Sequence, residues 1–260
     1  MTWLSPTVAP LMAYRNRRLC HIITQAGQVI APTHFVQTVY EQMGVPTENV
    51  MVVPHGIEVP HQKIEAILAK RPFPPKNTLR IGYIGSIAQQ KGVHNLIAAV
   101  NQLPKEGVKL TIYGGLDDFP EYVAQIKASA QHPGIHFAGR IPREEIWDAF
   151  ASFDVVVMPT LWYEASPLTI QEAFAVKTPI IASRIGAMPE KITDGVDGLL
   201  VPPGDVAALH TALLSLKENP ARLAQLRAGI QPVYTMTEQV KDIIDVYRKY
   251  VIKVGTEKPA

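Results

Sequence analysis

Cysteine is almost missing from this 260-residue sequence, in which Cys20 is the only one. A single cysteine excludes an internal disulfide and a cysteine-rich zinc site, and it indicates a reducing compartment. Long apolar runs are missing too, since none approaches the roughly 18 residues that a membrane span needs. Residues 1–12 are apolar, but Pro6 and Pro10 interrupt them and no basic residue precedes them, so we expect no signal peptide. We therefore expect a cytoplasmic protein, with peripheral association at a membrane surface as the alternative.

The sequence also lacks a large excess of charge of either sign. Its 25 basic and 23 acidic residues leave a net charge of +2, which argues against a nucleic-acid partner bound through a broad positive field. The glycine-rich dinucleotide, Walker, nucleophile-elbow and zinc-protease motifs are not found. Hydrophobic residues make up 47% and charged residues 18%, so the chain can bury a substantial core.

Six apolar, β-rich runs alternate with helical patterns between residues 79 and 201. Strands that alternate with helices indicate βαβ units on a parallel sheet, so we predict an α/β fold with a doubly wound, Rossmann-like sheet. The run 154–158 is apolar without alternation, as expected of a central strand that is covered on both faces. The predicted strands are 79–84, 109–113, 135–138, 154–158, 179–182 and 198–201, and the predicted helices are 93–102, 121–130, 143–153 and 168–176.

The flanking regions suggest a partial second domain. Residues 1–58 hold two short predicted strands, 29–32 and 50–54, around a helical stretch, which is a partial N-terminal α/β fragment too small to close a sheet layer. Residues 59–78 include a proline-rich segment and are predicted to be a linker. The main domain would extend over 79–235, with Asp205 as N-cap of a helix at 206–217. Residues 236–260 carry one apolar stripe at helical spacing.

The strongest local signal follows the predicted strand 154–158. Ser166 before Pro167 predicts a helix start, with serine at the N-cap and proline at the first helical position. The free N–H groups of Leu168 and Thr169 would then form an anion site at the carboxyl edge of the sheet.

Two carboxylates flank that helix start. Glu164 lies in the loop before it and Glu172 lies within it. Because a carboxylate repels phosphate, their useful role would be to accept hydrogen bonds from sugar hydroxyls. An ordinary capped helix with two solvated glutamates is the alternative.

Two weaker signals follow other predicted strands. Gly85 permits close backbone approach, and Lys91 places a positive charge near the same sheet edge. Arg140 and Ile141 follow the strand 135–138, where they could meet a flat base. The alternatives are a glycine that only serves a turn and an ordinary surface arginine.

Together these stretches resemble the retaining GT-B glycosyltransferases of glycosyltransferase family 4 (group 1). The order and spacing of the motifs over residues 79–205 make the resemblance specific. The matching stretches are Gly82-Tyr-Ile-Gly85 with Lys91-Gly92, His136-Phe-Ala-Gly139-Arg140, Glu164-x7-Glu172, and Gly186-Ala-Met-Pro-Glu190 with Gly198-Leu-Leu-Val-Pro-Pro-Gly204-Asp205.

The resemblance implies a hexosyltransferase-type enzyme with a nucleotide-sugar donor, retention of configuration and no metal or other cofactor. Lys91 and Glu164 would be the catalytic residues, with Lys91 neutralising the diphosphate and Glu164 contacting the donor sugar. Among the donor-binding residues, Glu172 would contact the ribose, and Arg140 and Ile141 would contact the base. The others would contact the phosphates or the sugar. The donor-binding residues are Gly85, Ser86, Arg140, Ile141, Ser166, Leu168, Thr169 and Glu172.

This chain departs from the family in two ways. Ser86 stands where many members have an arginine for the phosphates, so Arg140 or Arg184 would have to substitute. Residues 1–58 resemble only a remnant of the acceptor domain, so 79–235 would be the donor domain and 236–260 a helix that packs back toward the N-terminal part.

We therefore expect a chain that is incomplete for catalysis. Its alternatives are a non-catalytic nucleotide-sugar-binding module or a subunit of a split glycosyltransferase, and a GT-B sugar-nucleotide epimerase. The expected partners are the donor, a glycan or lipid acceptor, and a second copy or a partner chain that supplies the missing domain.

Overall fold

The computed structural model describes residues 8–70, 73 and 77–256. Residues 1–7, 71, 72, 74–76 and 257–260 lie outside the described residues, and they include parts of the apolar N-terminal stretch, the predicted linker and the predicted C-terminal helix. The chain divides into two compact units, a smaller one of residues 1–56 and 234–260 and a larger one of residues 57–233. No helix among the described residues is both long enough and apolar enough to cross a membrane.

Helices and strands alternate along most of the chain. The helices are α1 (Val8–Thr24), α2 (His34–Gln42), α3 (His61–Lys70), α4 (Val93–Asn101), α5 (Pro120–Ser129), α6 (Ile146–Ser152), α7 (Leu168–Ala175), α8 (Met188–Lys191), α9 (Val206–Glu218), α10 (Pro220–Gly229) and α11 (Met236–Thr256). The strands are β1 (Val29–Ala31), β2 (Val50–Val52), β3 (Leu79–Ile84), β4 (Val108–Tyr113), β5 (Ile135–Gly139), β6 (Val155–Met158), β7 (Ile180–Ser183) and β8 (Gly198–Val201).

The larger unit contains a parallel sheet of six strands in the order β5-β4-β3-β6-β7-β8. This confirms the predicted α/β fold with a doubly wound sheet. The chain runs outward in one direction from β3 to β5 and then returns to place β6 on the other side of β3. The point between β3 and β6 is therefore the topological switch point, where sheets of this kind bind ligands at the carboxyl ends of the strands.

Both faces of this sheet are covered. Val155 and Val157 of β6 point into one hydrophobic core and Val156 into the other, because successive side chains of a strand point to opposite faces. Residues of α4, α5, α9 and α10 contribute to the first core, and residues of α3, α6, α7 and α8 to the second. The run 154–158 is therefore apolar without alternation because both faces of its strand are covered, as the sequence predicts.

A buried ion pair joins the beginnings of the two central strands. Asp154 is fully buried and pairs with Arg80, whose Nη2 lies 2.6 Å from Oδ1. The Arg80 backbone N–H and its Nε also donate to Asp154 Oδ2, at 2.8 and 3.0 Å. Three donors thus satisfy a carboxylate that would otherwise be very costly to bury.

The predicted linker contains a helix. α3 occupies residues 61–70, and Ile64 is buried in the second core with Ile67 and Leu68 packed against it. Apolar residues at i, i+3 and i+4 form one face of a helix, so this pattern predicts α3. The interpretation as a linker rested instead on the prolines that follow. α1, α8 and α10 were also not predicted, whereas Asp205 is confirmed as N-cap because it accepts from Ala208 N–H at 2.9 Å.

The smaller unit holds a two-stranded parallel sheet, β1 paired with β2. Its core contains the buried residues Ala31, Val45 and Val50. Several large apolar side chains of α1 and α11 are exposed, including Leu11 at 67% and Tyr247 at 65%. Such a small sheet has little stability of its own, so this unit depends on the packing of its helices.

Candidate functional site

A cavity of about 140 Å³ lies at the switch point, beyond the carboxyl ends of β3 and β6. Four of the predicted site residues line it, namely Gly85, Lys91, Glu164 and Thr169. The structure therefore brings together residues from two separate stretches of the sequence, one after β3 and one after β6. Its other lining residues are Tyr83, Ile84, Met158, Pro159, Thr160 and Pro167.

Lys91 is placed by a tight turn rather than by a helix. It ends a 3₁₀ turn, and Gly92 follows with a φ of 69°. A Cβ on Gly92 would lie 2.0 Å from the Pro159 carbonyl oxygen, so only glycine permits the turn after β3 to approach the loop after β6 this closely. Leu161 N–H closes the contact by donating to Gln90 O at 2.8 Å.

Lys91 and Glu164 form an ion pair across the cavity, with Nζ 2.5 Å from Oε1. Their side chains are 32% and 19% exposed, so the pair is accessible to a ligand while much of it is shielded from water. A cation held beside a carboxylate can exchange that carboxylate for a phosphate group, whose charge is larger.

Thr160 connects Glu164 to the turn that carries Lys91. It is only 3% exposed, and its Oγ1 lies 3.2 Å from Gln90 O and 3.4 Å from Glu164 Oε1. The hydroxyl also accepts from Trp162 N–H at 3.3 Å. The sequence analysis missed Thr160, although its position directly after the central strand is where a site residue is expected.

The start of α7 differs by one residue from the prediction. The helix begins at Leu168, and Pro167 occupies the N-cap position with φ −70° and ψ 114°, so Ser166 is not the N-cap and Pro167 is not the first helical residue. The Ser166 hydroxyl is buried, and no hydrogen-bond partner for it is found within the described part of the chain. Proline has no side-chain acceptor for the helix N–H groups, and no side-chain cap is present.

Glu172 does not line this cavity. It lies in a neighbouring cavity of about 420 Å³ with Glu58, Arg143 and Trp147 among the lining residues. Burial raises the pKa of Glu172, and the positive charge of Arg143 opposes this shift. Glu172 has no salt bridge to any residue that the structure describes, and a half-buried carboxylate of this kind can accept hydrogen bonds from hydroxyl groups.

Arg140 and Ile141 line a third cavity, of about 300 Å³, together with Ser86 and Asp118. Gly85 lines both this cavity and the one at the switch point, so the two adjoin. Arg140 Nη2 lies 2.6 Å from Asp118 Oδ1 and 3.3 Å from Asp117 Oδ1. The pairing of Arg140 with these two aspartates depends on the contact between β4 and β5, which local sequence does not reveal.

Neither of the arginines suggested as substitutes at Ser86 is free. Arg140 is held by Asp117 and Asp118, and Arg184 forms an ion pair with Asp194. Within the described residues, the cation that lines the switch-point cavity is Lys91.

Comparisons with known proteins place this chain in a family. The sequence matches the family "Glycosyl transferases group 1" over residues 65–231. It is 30% identical to glycogen synthase of Mycobacterium tuberculosis, over 72% of this chain and 44% of the relative. It is 28% identical to 2-deoxystreptamine glucosyltransferase of Streptomyces kanamyceticus, over 72% of this chain and 50% of the relative. The chain thus spans about half the length of the curated relatives it matches.

Solved structures agree on the fold. HepE of Anabaena, solved in complex with UDP and glucose, superposes with a TM-score of 0.76 at 22% identity, covering 90% of this chain and 66% of that one. Sucrose-phosphate synthase of Thermosynechococcus elongatus also gives a TM-score of 0.76, at 24% identity, covering 93% of this chain and 62% of that one. Since the family match includes more than half of the chain and the sheet matches GT-B structures, this protein belongs to the group 1 glycosyl transferases.

Proposed function

We propose that the chain binds a nucleoside diphosphate sugar and takes part in transferring its hexosyl group with retention, as a family 4 glycosyltransferase. The observation that carries the proposal is the meeting of Lys91, Glu164 and the start of α7 in one cavity at the switch point. A cation, a carboxylate and free helix N–H groups are what a diphosphate bonded to a sugar requires.

The diphosphate would displace Glu164 as the ion-pair partner of Lys91. Its oxygens would also accept hydrogen bonds from the N–H groups of Leu168 and Thr169, which lack intrahelical partners at the first turn. The Ser166 hydroxyl, buried without a partner in the described structure, adds a donor at the same helix end. Gly85 and Ser86 would bring backbone groups close to the phosphates.

Once Glu164 is no longer paired with Lys91, its carboxylate can contact the donor sugar. In its free form it accepts hydrogen bonds from sugar hydroxyls. Retention would proceed through an oxocarbenium-like transition state, in which stabilising the departing phosphate matters more than a protein nucleophile. Lys91 and the helix N-terminus provide that stabilisation, and the proposal requires no metal.

The remaining roles extend along the sheet edge. Glu172 would accept hydrogen bonds from the ribose hydroxyls, because its cavity lies beside the α7 helix and its carboxylate has no salt bridge in the described structure. The base would lie in the third cavity against Ile141 and Arg140. The HepE structure with UDP and glucose supports a donor of this type.

The acceptor would be a glycan or a lipid. Because the chain spans about half the length of its curated relatives, we propose that these 260 residues bind the donor and transfer sugar poorly by themselves. Without an acceptor held beside the anomeric carbon, catalysis loses the positioning effect, which is worth about 7–11 kcal/mol. A donor-binding module, or a subunit paired with a second chain, is the alternative that the same coverage favours.

Calorimetric titration of the purified chain with UDP, GDP and ADP tests donor binding. We expect at least one of them to bind, and Lys91→Met to bind it more weakly. Absence of any response from a folded sample would falsify the site assignment. Assays of nucleotide release and product formation, with and without sugar acceptors, test transfer. Turnover near ~1–10 per second would contradict the proposal that these 260 residues transfer sugar poorly by themselves.

A further inference from the structure

An exposed aromatic pair borders the switch-point cavity. Trp162 and Tyr163 are each 63% exposed, and they lie between two residues that line the cavity, Thr160 and Glu164. Single exposed apolar residues are common, whereas two consecutive exposed aromatic residues beside a cavity make this loop a candidate binding surface.

The backbone that carries these rings is fixed. Trp162 N–H donates to Thr160 Oγ1 at 3.3 Å, and Ala187 N–H donates to Glu164 O at 2.9 Å. Gly186 packs so closely that a Cβ would lie 2.8 Å from Glu164 N. The aromatic side chains are therefore presented by an ordered loop, which lowers the entropic cost of binding a ligand.

The position of the pair limits what can bind to it. Consecutive Cα atoms are about 3.8 Å apart, so the Trp162 Cα lies within about 8 Å of the Glu164 Cα. An indole extends over a similar distance, so the Trp162 side chain is long enough to reach a group held within one sugar ring of the Glu164 carboxylate. In the proposed function that neighbouring position belongs to the acceptor, whose hydroxyl must lie about 3–3.5 Å from the anomeric carbon.

The chemistry of the pair favours a sugar ring. Residues 161–163 carry no charge, and in the proposed function the diphosphate of the donor already occupies Lys91, so this loop offers a second anionic group no charged partner. Tryptophan and tyrosine combine a flat apolar face with one polar edge. A pyranose ring likewise combines an apolar face of C–H groups with a rim of hydroxyls.

We propose that Trp162, supported by Tyr163, forms a platform on which a neutral sugar ring of the acceptor stacks. This rests on the proposed function, since it assigns the acceptor side of the same site. It also assigns a sugar, rather than a membrane lipid, as the group that contacts this loop.

The test uses the full chain saturated with UDP and a panel of methyl hexopyranosides, maltose and cellobiose at millimolar concentration. Saturation-transfer NMR measures sugar binding. Because the chain has three tryptophans, the difference in emission between wild type and Trp162→Phe reports on Trp162. We expect Trp162→Ala to weaken sugar binding roughly three- to tenfold, whereas Trp162→Phe retains it because the ring remains. Val196→Ala, which alters an exposed apolar residue elsewhere in the larger unit, is the matched control and should bind as wild type.

Several results would overturn the platform. They are equal sugar binding by wild type and Trp162→Ala, no binding of any sugar in the panel, or an emission shift with phosphatidylcholine–phosphatidylglycerol vesicles but not with sugars that is present in wild type and missing in Trp162→Phe. UDP titrations of the same variants keep the two proposals separate. If UDP binds all variants equally and the sugars fail, only the platform is wrong; if UDP itself fails to bind, the proposed function is wrong.

Discussion

Lys91 and Glu164 are expected to affect nucleotide binding in opposite directions. The two side chains are paired at 2.5 Å, so a diphosphate must take Lys91 from a carboxylate that also repels it. Lys91→Met removes the attraction while keeping most of the aliphatic stem. Glu164→Gln removes the competitor while keeping the shape of the side chain.

The expected magnitudes follow from the exposure of the pair. A hydrogen bond between Lys91 and a charged phosphate is worth about 1.5–3 kcal/mol. With side chains 32% and 19% exposed, the competing ion pair is partly screened and contributes about 0.5–1 kcal/mol. Lys91→Met should therefore weaken UDP binding by about 1–2 kcal/mol, roughly 5- to 30-fold, and Glu164→Gln should strengthen it roughly two- to fivefold.

Isothermal titration at constant ionic strength measures both effects, with Glu121→Gln on the exposed first turn of α5 as a control for net charge. A second titration with a UDP-sugar separates the roles of Glu164. If the carboxylate contacts the sugar, Glu164→Gln should lose part of the extra affinity that the sugar adds to UDP. Weaker binding of UDP itself by Glu164→Gln would refute the reasoning, because Glu164 would then orient Lys91 rather than compete for it.

Three further predictions concern stability and association. Asp154→Ala leaves Arg80 unpaired at the start of β3 and should lower the free energy of unfolding by about 3 kcal/mol, measured by urea denaturation; a change below about 0.5 kcal/mol would contradict this. The raised pKa of Glu172 means that its stability contribution is present below the usual value of 4.5 and is lost as pH rises through the raised pKa. Glu172→Gln should thus unfold at higher temperature than wild type near neutral pH, lose that advantage below pH 4.5, and bind UDP more weakly. The exposed apolar side chains Ile22, at 60%, and Tyr247, at 65%, should promote self-association, which light scattering of Ile22→Glu and Tyr247→Glu would show to be reduced.

The sequence predicts the larger unit well because its signals are local. The run 154–158 is apolar on both faces, because a strand with helices packed on both sides buries all of its side chains. Lys91, Glu164 and Thr169 could be placed together because the carboxyl ends of parallel strands meet at one sheet edge. Their residue types and positions after strands are sufficient for this inference.

What the sequence does not predict depends on contacts between distant segments. The α7 start differs by one residue because Pro167 takes the N-cap position, and the preference of serine for that position does not decide the packing of the loop before it. Thr160 acts through Gln90, which is 70 residues away in sequence. Arg140 is neutralised by Asp118, 22 residues away, so its charge could not be judged from its neighbours.

The geometry of the site depends on how β3 and β6 are held together. Their ladder is short, with Ile81 opposite Val155 and Gly82 opposite Val156. The ion pair of Arg80 with Asp154 fixes the two strands at one end, and the Gly92 contact with Pro159 fixes them at the other, about 16 Å away at strand spacing.

Because Lys91 follows β3 and Glu164 follows β6, these two contacts set the distance between the cation and the carboxylate. A substitution at Asp154 should therefore loosen the pairing of β3 with β6. Asp154 lies at one end of these strands, and the site lies at the opposite, carboxyl ends. If β3 and β6 act as one rigid element, Asp154 variants that remain folded should bind UDP more weakly; if the Gly92 contact suffices by itself, they should lose stability and keep their affinity.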